Sequence, residues 1–320
     1  MKKIALLTSG GDAPGMNAAI RAVVRQGLNR GLQVYGIERG YSGLFNGSQI
    51  VELERGSVAD IIHRGGTILL TAREPAMENP AFHRQAAERL LGEGIEGLVV
   101  IGGDGSFRGA LALEREGVKT VGIPGTIDND INGTEQTLGF DTAVNTILDA
   151  VNRLRDTGAS HERIFILEVM GRKRGSLALA AGLAGGAESI LVPEIEYSVD
   201  QVCERLLRGI ERQKAHSIII AAEGAADVFE LNREISKRIK VETRVTVLGH
   251  IQRGGNPSSV DRLLGSRMGA LAVDLLIEGK SGFFTAVSGS DIVPVELAET
   301  SKACQGFPEE LYKLALNLAR

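Results

Sequence analysis

Residues 3–37 read KIALLTSGGDAPGMNAAIRAVVRQGLNRGLQVYGI, two short apolar runs flanking an amphipathic segment. Lys3 to Thr8 has the length and apolar continuity of a buried strand. Pro14 to Arg30 predicts a helix, with a proline near its start and Gly31 as its stop. Within it Met16, Ile20, Val24 and Leu28 recur every fourth residue and form a stripe for burial. Leu32 to Ile37 is the next strand. Strand, helix, strand is a βαβ unit, whose strands lie parallel because the helix carries the chain back over the sheet. The joint Ser9-Gly10-Gly11-Asp12-Ala13-Pro14-Gly15-Met16-Asn17 offers bare backbone N–H groups and a helix N-terminus to an anion. It lacks the Gly-Lys-Ser/Thr of a Walker A loop and is not a clean GxGxxG. By itself, a tight turn explains it equally well.

The alternation continues. Strands are predicted at Gly97 to Ile101, Thr120 to Ile123, Ile164 to Val169, Ser217 to Ala222 and Arg244 to Leu248. Helices fit at Asn79 to Leu91, Ser106 to Glu116, Phe140 to Arg155, Val199 to Gln213, Val228 to Ile239 and Val260 to Glu278. Continuous apolar strands between amphipathic helices predict an α/β protein with mainly parallel sheets covered on both faces. At about 150 residues per domain, the 320 residues make roughly two domains. No Pro- or Ser-rich linker divides them, so the two are expected to exchange elements rather than hang on a tether.

Composition narrows the function. A formal charge of −4 disfavours a general nucleic-acid binder, and a hydrophobic share of 43% disfavours disorder. The 41 glycines are nearly twice the usual share of about 7%. Such an excess suggests backbone that must come close to something, and phosphates are a common case. Cys203 and Cys304 form no CxxC, so they are expected to be reduced thiols of a cytoplasmic protein. No segment approaches the roughly 18 apolar residues of a membrane span. The longest candidate, Ser176 to Ala187, is rich in Ala and Gly.

Further turns follow the predicted strands. In Gly102-Gly103-Asp104-Gly105-Ser106 one carboxylate sits among three bare glycines, an arrangement suited to Mg²⁺, which takes one or two carboxylates plus phosphate and water. Asp104 also fits as the N-cap of the next helix. In Pro124-Gly125-Thr126-Ile127-Asp128-Asn129-Asp130, extended backbone would point Asp128 and Asp130 to one side. Like charges repel, so the pair suggests a base plus an orienting or metal-side carboxylate; an Asx-turn cluster is the plainer alternative. Glu168-Val169-Met170-Gly171-Arg172, Glu223-Gly224, Thr243-Arg244 and His250-Ile251-Gln252-Arg253-Gly254-Gly255 place polar residues at strand ends, where open α/β sheets bind ligands.

In this order and spacing, SGGDAPGMN, VVIGGDGS, PGTIDNDI, SHERI, EVMGR, ETR and VLGHIQRGG resemble the bacterial 6-phosphofructokinases, from Met1 to about Gly279. GGDG alone also occurs in NAD and lipid kinases; the ordered set is specific. The resemblance implies two similar three-layer α/β/α domains. An ATP-binding domain would comprise 1–139 plus about 252–304, and a sugar-phosphate domain 140–251 plus about 305–320. It implies transfer of the γ-phosphoryl of MgATP to the 1-hydroxyl of fructose 6-phosphate, the committed step of glycolysis, by a cytoplasmic homotetramer with shared active sites. Asp128 would accept the hydroxyl proton, Thr126 and Arg172 would hold the transferring group, and Arg73 would face its charge. Gly11, Arg73, Gly103, Gly105 and Ser106 would line the nucleotide site. Asp104 would hold Mg²⁺, with Asp130 assisting. Arg163, Met170, Gly171, Glu223, Arg244, His250 and Arg253 would hold the sugar phosphate, Arg163 and Arg244 reaching in from a neighbouring subunit.

Pyrophosphate-dependent relatives typically carry Asp and Lys where this chain has Gly105 and Gly125, which favours ATP as donor. Arg21 and Arg25, one turn apart on the predicted first helix, form a cationic pair whose repulsion a bound anion would offset. With Arg55, Asp60, Arg155, Glu188, Arg212 and Lys214 they match the family's effector site, which takes ADP as activator and phosphoenolpyruvate as inhibitor; Glu188 would carry the Mg²⁺ of the diphosphate. The run Arg212-Gln213-Lys214-Ala215-His216 has one cation fewer than in some relatives, and Lys173 and Arg174 add charge to which the resemblance gives no role. The alternatives are a pyrophosphate-dependent phosphofructokinase, a non-catalytic nucleotide sensor, or another GGDG kinase, which would leave His250 to Arg253 unexplained.

Overall fold

The computed structural model describes residues 1–45, 50–72, 74–302 and 306–319. The chain opens with β1 (Lys3–Ser9), α1 (Met16–Asn29), β2 (Gln33–Ile37), β3 (Ile50–Glu52), α2 (Pro80–Gly92), β4 (Gly97–Gly102), α3 (Asp104–Arg115) and β5 (Lys119–Pro124). There follow α4 (Phe140–His161), β6 (Ile164–Val169), α5 (Ser176–Gly185), β7 (Ser189–Leu191), α6 (Val199–Glu211), β8 (Ser217–Ala222), α7 (Val228–Arg238) and β9 (Thr243–Val247). It closes with α8 (Ser259–Ile277), β10 (Phe283–Ser288), β11 (Asp291–Glu296) and α9 (Glu309–Leu318). Two compact units form, Met1–Thr142 with Arg253–Gln305, and Ala143–Gln252 with Gly306–Arg320.

The first unit holds a seven-stranded sheet in the order β11-β10-β5-β4-β1-β2-β3. Its inner strands are parallel, while β3 and β11 run antiparallel at the two edges. Alternate residues face opposite layers. Ala5, Leu7, Leu98 and Val100 pack with Ala86 and Leu90 of α2 and with Phe107, Ala110 and Leu113 of α3. On α8, Gly265 and Gly269 lie one turn apart and bring it into backbone contact with α1. A methyl on Gly265 would sit 2.8 Å from the Gly15 carbonyl oxygen, and one on Gly269 2.7 Å from that of Ala19.

The second unit has a smaller, all-parallel sheet in the order β7-β8-β6-β9. Ile164, Ile166, Ile219 and Ala221 pack with Val202 and Leu206 of α6 and with Leu231 and Ile235 of α7.

Several elements differ from expectation. α1 starts at Met16 rather than Pro14, because Gly15 caps it in the left-handed region at φ 100°. α4 runs to His161, past the predicted end at Arg155. Its apolar stripe stops at Leu154, but the helix continues as a mostly exposed turn. α5 was invisible to periodicity because SLALAAGLAG is small and apolar all round. β3 and β7 have only three residues each.

Candidate active site

In the first unit, strand register sets the site. Ser9 pairs with Gly102 and Gly102 with Pro124, so three turns leave adjacent strands at one level. They do so where the strand order reverses, with β2 on one side of β1 and β4 on the other, which is where open α/β sheets form a ligand crevice. Hydrogen bonds stitch the turns together. Ser106 Oγ donates to the Ser9 carbonyl at 3.0 Å, the Gly125 N–H to the Gly102 carbonyl at 3.0 Å, and Thr71 Oγ1 to the Gly10 carbonyl at 2.8 Å.

The second turn has bare backbone that packing does not demand. A methyl on Gly103 would meet nothing closer than Thr126 Cβ at 3.9 Å, and one on Gly105 nothing closer than Arg108 Nη2 at 3.6 Å. Asp104 is not the N-cap of α3. Gly103 holds that place, and Asp104 is the first helical residue, paired with Arg108 one turn on. Its side chain is 38% exposed and open to a further ligand. One such carboxylate beside unfilled backbone fits Mg²⁺, which binds through one or two carboxylates and phosphate rather than in an all-protein cage. Among the described residues no three acidic, His or Cys side chains gather as a cage.

The third turn is not extended, so Asp128 and Asp130 do not follow strand alternation. Ile127 and Asp128 form a turn and Asn129 takes φ 50°. Thr126 is buried and its Oγ1 accepts the Asp128 N–H at 3.2 Å. Asp128 is 1% exposed, whereas Asp130 is half-buried. The loop closes on itself, with the Thr126 N–H bonded to the Leu138 carbonyl at 3.1 Å and Thr137 Oγ1 to the Thr126 carbonyl at 2.6 Å. Arg73 and Cys304 lie outside the described residues. Arg253, grouped by sequence with the sugar-phosphate residues, belongs to this first unit. Its guanidinium lies against Gly11 and donates to the Asp12 carbonyl at 3.5 Å.

In the second unit β6, β8 and β9 also end together, Val169 pairing with Ala222 and Glu168 with Val247. Arg172, in the left-handed region at φ 53°, donates its backbone N–H to Glu223 Oε1 at 2.7 Å. The Met170 N–H bonds to Gln252 Oε1 at 3.2 Å. Burial raises the Glu168 carboxyl above its ordinary range, helped by the charges of Glu223 and Asp227. Arg163 and Arg244 both pair with Glu242, whose carboxyl is held below the usual range chiefly by the Arg163 hydrogen bond. His250 is exposed in a short turn. Arg174 has a structural role that the sequence did not disclose. It pairs with Glu194 at 3.9 Å, and that carboxylate also takes the Gly175 N–H at 3.1 and 3.0 Å, fixing the turn beyond Arg172.

The expected effector residues divide between the units. In the first, Arg21 and Arg25 are half-buried, Arg55 and Asp60 exposed. Arg25 Nε is buried with no hydrogen-bond partner, which suits an anion. In the second, Arg155 bonds the Gly185 carbonyl, and Glu188 accepts from Lys214 Nζ at 3.2 Å and the Ile218 N–H at 2.6 Å. Glu188, Arg212 and Lys214 line a cavity of about 380 Å³ together with Arg205, Arg208, Leu316 and Ala319, which the sequence reading missed. Burial raises the Cys203 thiol, which makes it a weak nucleophile.

A mainly parallel sheet with glycine-rich, acidic turns at the ends of adjacent strands is an arrangement that suits α/β proteins binding phosphate compounds. The comparisons narrow this class. The family model described as Phosphofructokinase matches residues 3–276, and the chain belongs to that family. It is 56% identical over 315 residues to the ATP-dependent 6-phosphofructokinase of Clostridium novyi, covering 98% of each chain. It is 54% identical to that of Halalkalibacterium halodurans, covering all of both. The phosphofructokinase structure from Saccharomyces cerevisiae superposes with a TM-score of 0.91 at 34% identity; all of this chain is covered, but only 48% of the yeast chain. No described helix is long and apolar enough to cross a membrane.

Proposed function

We propose that this chain transfers the γ-phosphoryl group of ATP to the 1-hydroxyl of fructose 6-phosphate, giving fructose 1,6-bisphosphate and ADP. The observation that carries the reading is the shared level of Ser9, Gly102 and Pro124, which sets Asp104, Thr126 and Asp128 on neighbouring turns beside bare backbone. Phosphoryl transfer needs alignment and charge neutralisation more than covalent chemistry from the protein. The N–H groups of the first two turns and the N-termini of α1 and α3 would hold the phosphate chain, with Ser106 and Gly11 lining the nucleotide site. Thr126 and Arg172 would hold the transferring group. Asp128 would accept the hydroxyl proton as the new O–P bond forms and the bond to the ADP oxygen breaks. When bound, Mg²⁺ neutralises phosphate charge, and Asp104 would hold it with Asp130 assisting. Met170, Gly171, Glu223, His250 and Arg253 would hold the sugar phosphate, with Arg163 and Arg244 serving a neighbouring subunit of a homotetramer.

We also propose, on the same resemblance, that ADP activates and phosphoenolpyruvate inhibits a cytoplasmic enzyme through Arg21, Arg25, Arg55, Asp60, Arg155, Glu188, Arg212 and Lys214. Orphaned Arg25 Nε and the cationic cavity beside Glu188 support this.

A coupled assay with fructose 6-phosphate and either ATP or pyrophosphate tests the reading. Turnover is expected with ATP; turnover with pyrophosphate alone would overturn the choice of donor. Asp128→Ser should lower kcat by about 10²–10⁴-fold, as loss of a general base does, while ATP binding persists. A near-normal rate would remove Asp128 as the base.

A further inference from the structure

Asp261 is fully buried in the first turn of α8 and sits beside two of the turns described above. Its Oδ1 accepts the Gly139 N–H at 2.9 Å, and its Oδ2 accepts the Thr142 N–H at 2.9 Å and the Thr142 hydroxyl at 2.5 Å. The Thr142 hydroxyl in turn accepts the Ser258 N–H at 2.9 Å, and Ser258 Oγ accepts the Asp261 N–H at 3.2 Å. The first N–H groups of a helix have no partner within it and, when buried, require one. For α4 that partner comes from another helix, about 120 residues away in sequence. Gly139, at φ 97°, leads from the Thr126–Leu138 loop into α4. A methyl there would also lie 2.7 Å from Ala13 Cβ, in the first glycine-rich turn. Asp261 is close to that first turn too, its Cβ 3.2 Å from where a side chain on Gly15 would start.

We propose that Asp261 is a positioning residue for phosphoryl transfer: it caps α4 from outside and so fixes the loop bearing Thr126 and Asp128 against the first glycine-rich turn. This rests on the roles proposed above for those two residues. A buried carboxylate can be held rigidly only if its hydrogen bonds are complete, and both Asp261 oxygens are engaged. Burial pushes the carboxyl up, while the Thr142 and Gly139 donors pull it back. Asparagine keeps the shape but turns an N–H₂ toward N–H donors, so one of these bonds must be lost.

The test uses the full chain, confirmed folded, with Asp261→Asn, Thr142→Val and Thr142→Ser. Asp261→Asn should lower kcat at least tenfold with both KM values within threefold of wild type. Amide hydrogen exchange at Thr126 and Leu138 should quicken at least tenfold while exchange in β1 is unchanged. Thr142→Val should show the same pattern more weakly, and Thr142→Ser, which keeps the hydroxyl, should behave as wild type. Unchanged kcat and unchanged exchange at Thr126 and Leu138 would overturn the proposal. So would exchange that quickens throughout the first unit, since that marks general destabilisation. If Asp261→Asn does not fold, equal behaviour of the two Thr142 variants overturns it. Wild-type protein inactive on fructose 6-phosphate and ATP would instead overturn the functional reading, and the exchange pattern would still decide the role of Asp261.

Discussion

Replacing Gly105 by alanine should separate the needs of the fold from those of the ligand. Gly105 is the second residue of α3, and its backbone is exposed. The new methyl would meet only Arg108 Nη2, at 3.6 Å, an ordinary contact. Alanine is favoured over glycine within a helix by about 0.5–1 kcal/mol, so stability should hold or rise by up to that amount. If a nucleotide phosphate approaches this backbone, the same methyl occupies its place. A loss of about 1.4 kcal/mol is tenfold in affinity, so the Kd for MgATP should rise at least that much, with KM for fructose 6-phosphate within twofold. Gly102→Ala is the contrasting control. Its methyl would lie 2.5 Å from both Ser106 Oγ and the Ser9 carbonyl oxygen, and overpacking of this kind costs about 1–3 kcal/mol. Urea unfolding and calorimetric titration with MgATP measure both quantities. Wild-type ATP affinity in a stable Gly105→Ala protein would refute the view that this turn holds the nucleotide.

Glu242 is shared by Arg163 and Arg244, so Glu242→Gln should free both for a sugar phosphate. Exposed ion pairs contribute little and are screened by salt, hence KM for fructose 6-phosphate should fall only modestly, and less in high salt; a rise would count against a phosphate role for these arginines. Gly269→Val should lower stability by about 1–3 kcal/mol in urea, because its Cβ would lie 2.7 Å from the Ala19 carbonyl oxygen and force α8 off α1; unchanged stability would show that the two helices adjust freely.

Much of the sheet was legible because its strands are continuous apolar runs that end in glycine or a polar residue. The observed bounds of β6 and β8 coincide with the predicted ones. What local pattern could not carry was long-range pairing. Asp261 reads as an ordinary acid in a helix's first turn, and only the fold brings Gly139 and Thr142 to it. Arg174 and its partner Glu194 are twenty residues apart, and only the fold brings them together. Arg253 follows a histidine in a motif associated with sugar phosphate, yet it lies in the first unit with its guanidinium on Gly11. Leu316 and Ala319 reached the Glu188 cavity through α9, in a stretch where the family resemblance had faded.

Glycine excess, the first hint of phosphate chemistry, gains meaning once each glycine is asked why it is glycine. Many are explained by the chain itself. Gly15 and Gly139 adopt positive φ, and Gly265 and Gly269 leave room for a neighbouring backbone. Among the described residues Gly56, Gly92, Gly103, Gly105, Gly209 and Gly306 have neither reason: none has positive φ, and a methyl on any of them would meet ordinary contacts or open space. Gly56, Gly92 and Gly306 are exposed. The other three lie at the sites proposed above, Gly103 and the exposed Gly105 on the turn beside Asp104, and Gly209 in the wall of the cavity lined by Glu188 and Lys214. Glycine that the fold does not require, placed where cationic or N–H-rich surface opens, is the mark expected of backbone kept bare for a ligand.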